Sequence, residues 1–230
     1  MLTRRRTLIL SASAALPAMA TLPGAAMAAN DDVTHLVNQS AETARAILFG
    51  GTTAAARDDL KRAYGVLIIP LMIKAGLVIG GEAGDGVLLS QDRNGAWSGP
   101  AFYRLVSGSI GFQIGFEQRE VMLLVMTEKG LNSLMTNQIK LGADVSVTAG
   151  NVGTGREVAT GGSLGADFLA YSRAVGVFGG GALEGGVIQP LPDMNKRFYG
   201  RAVTPKEIVI DRTVDNAAAA RLKSQLSPGS

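Results

Sequence analysis

The sequence predicts an α+β fold: a glycine-rich, strongly curved and mainly antiparallel sheet, barrel-like or sandwich-like, with N-terminal helices, one mid-chain helix and C-terminal helices. Three observations predict it. Glycine supplies 30 of 230 residues, about twice the ordinary share, and lies inside apolar, β-prone runs, where it marks bulges, bends and close backbone approach. Ile110, Phe112, Ile114 and Phe116 alternate with Gly111, Gln113 and Gly115, a period of two with one bulky face and one bare face. Val33, Leu36, Val37, Ala41, Ala44, Ile47 and Leu48 recur at helical spacing, with Asn38, Gln39, Glu42 and Arg45 opposite.

The elements follow in order. A helix over 31–49 stops at Gly50-Gly51, and a second over about 53–63 leads into an apolar strand, Gly65 to Ile69, closed by Pro70. Lys74 to Gly81 and Gly86 to Gln91 read as strand segments. Asn94-Gly95, between Val87-Leu88-Leu89 and the segment Trp97 to Val106, is the preferred pair for a two-residue type I′ hairpin. Glu120 to Met126 reads as a buried strand, and Thr127 as the cap of a helix reaching about Ile139. Val145, Val147 and Ala149 alternate with polar residues, and Val175 to Ile188 is apolar with interspersed glycines. Thr204-Pro205-Lys206-Glu207 has the order of a capping box with proline at the first helical position. Residues 213–230 form a weakly ordered, alanine-rich helical tail.

The first 28 residues read as a removable signal. Arg4, Arg5 and Arg6 are followed by an apolar stretch from Leu8 to Ala20 and by Ala26-Met27-Ala28, the small-x-small pattern of a cleavage site. Arg5-Arg6 before Thr7, Leu8 and Ile9 also fits the twin-arginine pattern, alongside an ordinary secretory signal with an arginine-rich start. The expected mature chain, 29–230, is one domain in the periplasm or outside the cell, without a transmembrane segment. The signal holds three of the 22 basic residues and none of the 19 acidic ones, so the mature chain is formally neutral, 19 against 19. Global charge therefore gives no reason to expect a nucleic-acid partner.

Catalytic patterns fail for stated reasons. Gly161-Gly162-Ser163-Leu164-Gly165 matches a nucleophile elbow by letter, yet the one histidine, His35, precedes the serine where the hydrolase order needs it after. Cysteine is absent, which removes disulfides, thiol nucleophiles and thiolate metal sites. The carboxylates lack calcium-loop spacing, and the glycine clusters lead into strands rather than the helix N-terminus a phosphate needs. The residues imply no enzyme, metal or cofactor.

The segments GVLIIP at 65–70, AGLVIGGEAGDGVLL at 75–89, WSGPAFYRLVSGSIGFQIG at 97–115, LGADVSVTAGNVG at 141–153 and AYSRAVGVFGGGALEGGVI at 170–188 resemble the SYLF domain family in content and order. The resemblance spans roughly 60–203 and is most specific at Tyr171, Ser172 and Arg173, followed by Phe178, Glu184 and Gly185. It implies a lipid-binding domain; eukaryotic members bind phosphoinositides, and yeast members also bind and bundle actin. Asn151 stands where the family commonly has proline, and Ala174-Val175 where it often has a polar or basic pair, which lowers local positive charge.

For an exported chain the resemblance implies a non-catalytic module that binds phospholipid or a membrane surface peripherally. The other reading is a structural or interaction domain of the envelope without a small ligand. Lys61, Arg62 and Lys74 flank the apolar run 64–73 and are candidate cations, together with Arg173. Leu71, Met72, Phe112 and Phe116 are the candidate apolar partners. Arg173 and Glu184 fit a structural ion pair as well as head-group recognition. The first helix has a mixed, near-neutral polar face, which suits core packing better than anchoring in a membrane.

Overall fold

The computed structural model describes residues 23–50, 54–76, 79–110, 117–150, 165–174 and 185–227. In chain order the helices are α1 (Pro23–Phe49), α2 (Ala54–Leu60), α3 (Glu128–Ser133), α4 (Pro192–Tyr199), α5 (Pro205–Val209) and α6 (Ala220–Leu226). The strands are β1 (Gly65–Gly76), β2 (Ile79–Ser90), β3 (Ala101–Ile110), β4 (Glu117–Val125), β5 (Ile139–Lys140), β6 (Val147–Ala149), β7 (Phe168–Ala174) and β8 (Val187–Pro190). They form one strongly curled, half-barrel sheet of eight strands in the order β5-β8-β3-β2-β1-β4-β7-β6. Every pairing is antiparallel except β6 with β7. The two edge strands are consecutive in the chain, and a Leu141–Val145 bridge lies in the link between them.

Both faces of the sheet are buried, which is why Val66 to Ile69, Val87 to Leu89 and Val121 to Val125 read as continuous apolar runs without alternation. On the outer face Val66, Ile68, Val87, Leu89, Phe102, Met122, Leu124 and Tyr171 form one cluster with residues of α1, α2 and α4, and α6 joins it by packing on α1. On the inner face Leu67, Ile69, Met72, Leu88, Tyr103, Leu105, Val121 and Leu123 share one cluster with residues of β5 and β8 at one margin and β7 near the other. α3 and α5 close that side.

The curl depends on glycine at two places. A Cβ on Gly84 would lie 2.5 Å from the Leu71 carbonyl oxygen, and one on Gly86 would lie 2.1 Å from that of Ile68. β1 also carries an irregularity in register between Ile68 and Ile73 against β2, and between Ile69 and Met72 against β4. Pro70, which has no N–H to give to a ladder, sits in it. The expected end of the strand at Pro70 is therefore a bulge, and β1 continues to Gly76. Lys74 to Gly81 is not a separate strand but the two converging ends of the β1–β2 hairpin, paired as Gly76 with Gly80.

The turn at Asn94-Gly95 is a hairpin of another type than expected. The Gly95 N–H donates to the Asp92 carbonyl at 3.0 Å and Asp92 N–H to the Ala96 carbonyl at 3.0 Å. Only Gly95 has a positive φ, 81°. This is a three-residue loop, a type I turn with glycine in the bulge position. The Asp92 carboxylate selects it by accepting from the Asn94 and Ala96 amides at 2.8 and 2.9 Å.

Thr127 caps α3, accepting from the Gly130 amide at 2.9 Å. The helix ends at Ser133, short of Ile139, because Ile139 pairs with Ile188 in the sheet. Asp167 ties this corner together: it accepts from Thr127 Oγ1 at 2.7 Å and from Ser146 N at 3.0 Å. Burial alone would raise its pKa, but these bonds, with those of Lys129 and the Ser146 hydroxyl, hold it below the ordinary value. Both halves of the capping box at Thr204 are present, with proline at the start of α5. α4 has no counterpart in the sequence reading.

α1 runs through Ala28 and Ala29, and its first buried side chain among those described is Val33. Residues 213–227 are more tightly packed than the expected tail. A 3-10 turn at Ala217–Ala219 leads into α6, and Ala219, Leu222 and Leu226 are fully buried with the α1 stripe. The alternating run 111–116 and the glycine-rich run 175–184 lie outside the described residues, as does Ser163.

Candidate lipid-facing surface

The residues that carry the family resemblance serve first as struts. Tyr171 on β7 is fully buried, and its hydroxyl donates to Asp59 Oδ2 on α2 at 2.5 Å. Burial and the Asp59 carboxylate push the tyrosine pKa up, which keeps it a donor. Its ring lies against Gly150, where a Cβ would sit 2.3 Å from the ring. Ser172 is half-buried. Arg173 Nε forms an ion pair with Glu120 Oε2 on β4 at 2.9 Å, and Glu120 Oε1 accepts from Thr43 on α1 at 3.0 Å. Arg173 thus has its ion-pair partner in Glu120. Gly185 takes a φ of +81° that side chains rarely adopt. Phe178 and Glu184 lie outside the described residues.

Among the described candidates, Lys61 and Arg62 lie apart from Leu71 and Met72. Lys61 and Arg62 stand just before β1 and are paired locally, Lys61 with Asp58 at 2.9 Å and Arg62 with Asp59. Lys74 is nine residues beyond Gly65 on the same strand, about 30 Å away at the rise of a β-strand. The stretch between is largely core: Ile68 and Ile69 are fully buried, and so is Met72, which faces the interior. The side chain of Lys74, together with Phe112 and Phe116, lies outside the description.

Leu71 does stand on a surface of the expected kind, with companions the sequence reading missed. Beyond the helices, Leu71 and Ile73 on β1 and Val106 on β3 are 37%, 38% and 39% exposed. Register aligns Ile73 and Val106, since Ile73 pairs with Ala83, Ala83 with Val106 and Val106 with Val187, while Leu71 stands beside them in the irregular stretch of β1. The result is an apolar row across four adjacent strands on the outer face. The signal was the alternation of Phe102, Arg104 and Val106, whose meaning depends on which strands lie beside β3.

One step of two residues along that face, the row meets a cleft of about 490 Å³. Its floor includes Asp85 and Arg104, cross-strand neighbours whose side chains join by two bonds, Nε to Oδ1 at 2.5 Å and Nη2 to Oδ2 at 2.8 Å. The hydrogen bonds and charge of Asp85 raise the pKa of Arg104. Asp32 and Leu36 of α1 form one wall; Leu191 and the α4 residues Pro192, Asp193, Met194 and Arg197 form the other. Among the described residues no cluster of His, Cys, Asp or Glu could hold a metal ion. His35 is exposed on α1.

The profile of the Ysc84 family, described as Las17-binding protein actin regulator, matches residues 106–228. LAS seventeen-binding protein 3 of Saccharomyces cerevisiae is 34% identical over 168 residues, 72% of this chain and 36% of that protein. Protein YSC84 of the same yeast is 33% identical over the same length. SH3 domain-containing YSC84-like protein 1 of Homo sapiens is 24% identical over 161 residues, 70% of this chain and 47% of the human protein. The match thus spans about a third of the yeast relatives' length. By the extent of the profile match and the yeast identities, the chain belongs to the Ysc84, or SYLF domain, family.

Proposed function

We propose that the protein is a non-catalytic module of the cell envelope that binds a lipid or membrane surface from the periplasmic or outer side. The observation that carries the proposal is the apolar row of Leu71, Ile73, Ala83 and Val106, left uncovered beside the part of the outer face that the helices bury. Isolated exposed apolar residues are ordinary, but neighbouring ones on adjacent strands of one face favour a contact surface. No helix among the described residues is long and apolar enough to cross a membrane, and the contact is proposed as peripheral. The family is described as Las17-binding and actin-regulating, and a yeast relative is named for binding Las17, which supports binding rather than catalysis.

The test is vesicle co-sedimentation with Ile73→Glu/Val106→Glu against Lys61→Glu/Arg62→Glu. Removing apolar area from water contributes roughly 25 cal/mol per Å², and a carboxylate resists leaving water. The first pair is expected to weaken binding by about tenfold or more. The second changes it by about twofold or less, because its cations are exposed and already paired. High salt is expected to weaken the wild-type interaction only in part, since apolar burial is not screened. If vesicles of every composition are ignored and no lipid is recovered with the purified protein, the surface serves a protein partner of the envelope instead.

Export is proposed to follow the twin-arginine route, on the strength of Arg5-Arg6. Arg5→Lys with Arg6→Lys is expected to leave the precursor in the cytoplasm, read by fractionation and N-terminal sequencing, with the wild type beginning near Ala29. Normal accumulation of the double variant outside the cytoplasm would assign the signal to the general secretory route.

A further inference from the structure

We propose that the cleft between α1, α4 and the sheet is a head-group site for a zwitterionic phospholipid, with its acyl chains lying on the apolar row. This rests on the membrane-binding reading and names the ligand of that same surface. The cleft and the row are one feature: Asp85 and Ala83 are alternate residues of β2, Arg104 and Val106 alternate residues of β3, and all four point outward. A volume of about 490 Å³ falls within the range typical of small-molecule sites.

The charges are of both signs and separated. Asp85 engages the Nε and Nη2 edge of Arg104, which leaves Nη1 without a partner among the described residues. Five donors in a fixed fork allow an arginine to hold a carboxylate on one edge and a phosphate oxygen on another. Asp85 orients the guanidinium. Arg197, half-buried, is the second cation of the lining. Asp32 and Asp193 are exposed on the opposing walls, and neither has a hydrogen-bond or ion-pair partner among the described residues. They are suited to an ammonium group.

A purely anionic head group would meet three aspartates and only two arginines in this lining, whereas a phosphate carrying an ammonium satisfies both sets. Leu36, Leu191 and Met194, each half-buried, give the glycerol region an apolar wall. The site thus selects by pairing charges inside the cleft, not by attraction to a negative surface.

The experiment measures binding of the purified protein to vesicles of phosphatidylethanolamine with phosphatidylcholine, and separately of phosphatidylglycerol. Free O-phosphorylethanolamine and inorganic phosphate serve as competitors. Asp32→Asn/Asp193→Asn is expected to weaken binding to the zwitterionic vesicles by about tenfold, and to leave or improve binding to phosphatidylglycerol. Arg104→Gln is expected to weaken the zwitterionic interaction by a similar factor, with Arg104→Lys intermediate because it keeps the charge but not the fork. Both aspartates are exposed and have no partner among the described residues, so that variant is expected to melt within a few degrees of the wild type, the small cost being the charge of Asp193 in the first turn of α4. Competition by O-phosphorylethanolamine but not by phosphate supports a head-group site; equal competition by phosphate reduces it to an anion site and overturns the proposal. If Ile73→Glu/Val106→Glu abolishes vesicle binding while the cleft variants bind like wild type, the head-group site is wrong and the membrane surface stands. Absence of binding to all vesicles removes both.

Discussion

Gly86→Ala is expected to destabilise the protein by about 3 kcal/mol, the upper end of the cost of forcing extra volume into a packed interior. The added methyl would sit 2.1 Å from the Ile68 carbonyl oxygen and 2.8 Å from Ile69 Cγ1. The first of these is backbone, held in the ladder by the adjacent pair Ile68 and Val87, so relief requires β1 and β2 to part. These are the two central strands of the sheet, and separating them loosens the layers on both faces. For a domain of this length each kcal/mol lowers Tm by about 2–4 °C, giving a fall of roughly 6–12 °C. Gly108→Ala on β3 is the matched control: a Cβ there meets nothing within 4 Å, and a change within about 0.5 kcal/mol is expected. Equal melting of the two variants would show that the curl does not depend on the close approach at Gly86.

Arg119→Met is expected to cost about 3–5 kcal/mol, because it leaves the carboxylate of Glu82 buried without its arginine. Both residues are nearly inaccessible, with side chains 5% and 4% exposed, and they join β4 to β2 inside the curl. Ser107, the β3 neighbour of Glu82, is buried beside them. Water cannot take over the role of the guanidinium there without opening the sheet. Changing both partners, Glu82→Leu with Arg119→Met, is expected to recover most of the loss, since replacing a buried pair with apolar side chains of similar volume is often neutral. Urea melts of the two single variants and the double variant give the coupling between the residues. A double variant no more stable than Arg119→Met alone would mean that the arginine acts by packing and not by charge.

Local chemistry was readable where it is settled locally. Thr204 and Glu207 specify their capping box within four residues, and Thr127 specifies the start of α3 in the same way. The continuation of β1 past Pro70 was not readable, because a proline is compatible with a strand only where a bulge removes the need for its amide, and that depends on β2 and β4. α4 hides its helical signal in a polar octet, PDMNKRFY, and its place is fixed by Asn195, whose side chain accepts from the Phe102 amide at 2.9 Å on β3. The candidate surface divides the same way. Leu71 could be picked from a run of apolar residues, but its neighbours Ala83 and Val106 follow only from register. Lys61 and Arg62 are close to Leu71 in sequence and far from it in space, because an extended strand carries the chain farther than any other element.

The packing of α6 on α1 has a bearing on how the chain is made. Val33 and Val37 share their cluster with Leu222 and Leu226, so the outer core cannot close while the chain is still being extended through those leucines. At synthesis rates of about 5–20 residues per second, the stripe on α1 waits roughly 10–40 s for its cover. During that interval the apolar stripe of α1 is displayed on the nascent chain, where holding chaperones can bind it. The order in which the ribosome delivers the two helices thus gives this domain an interval in which it can be held before folding is complete.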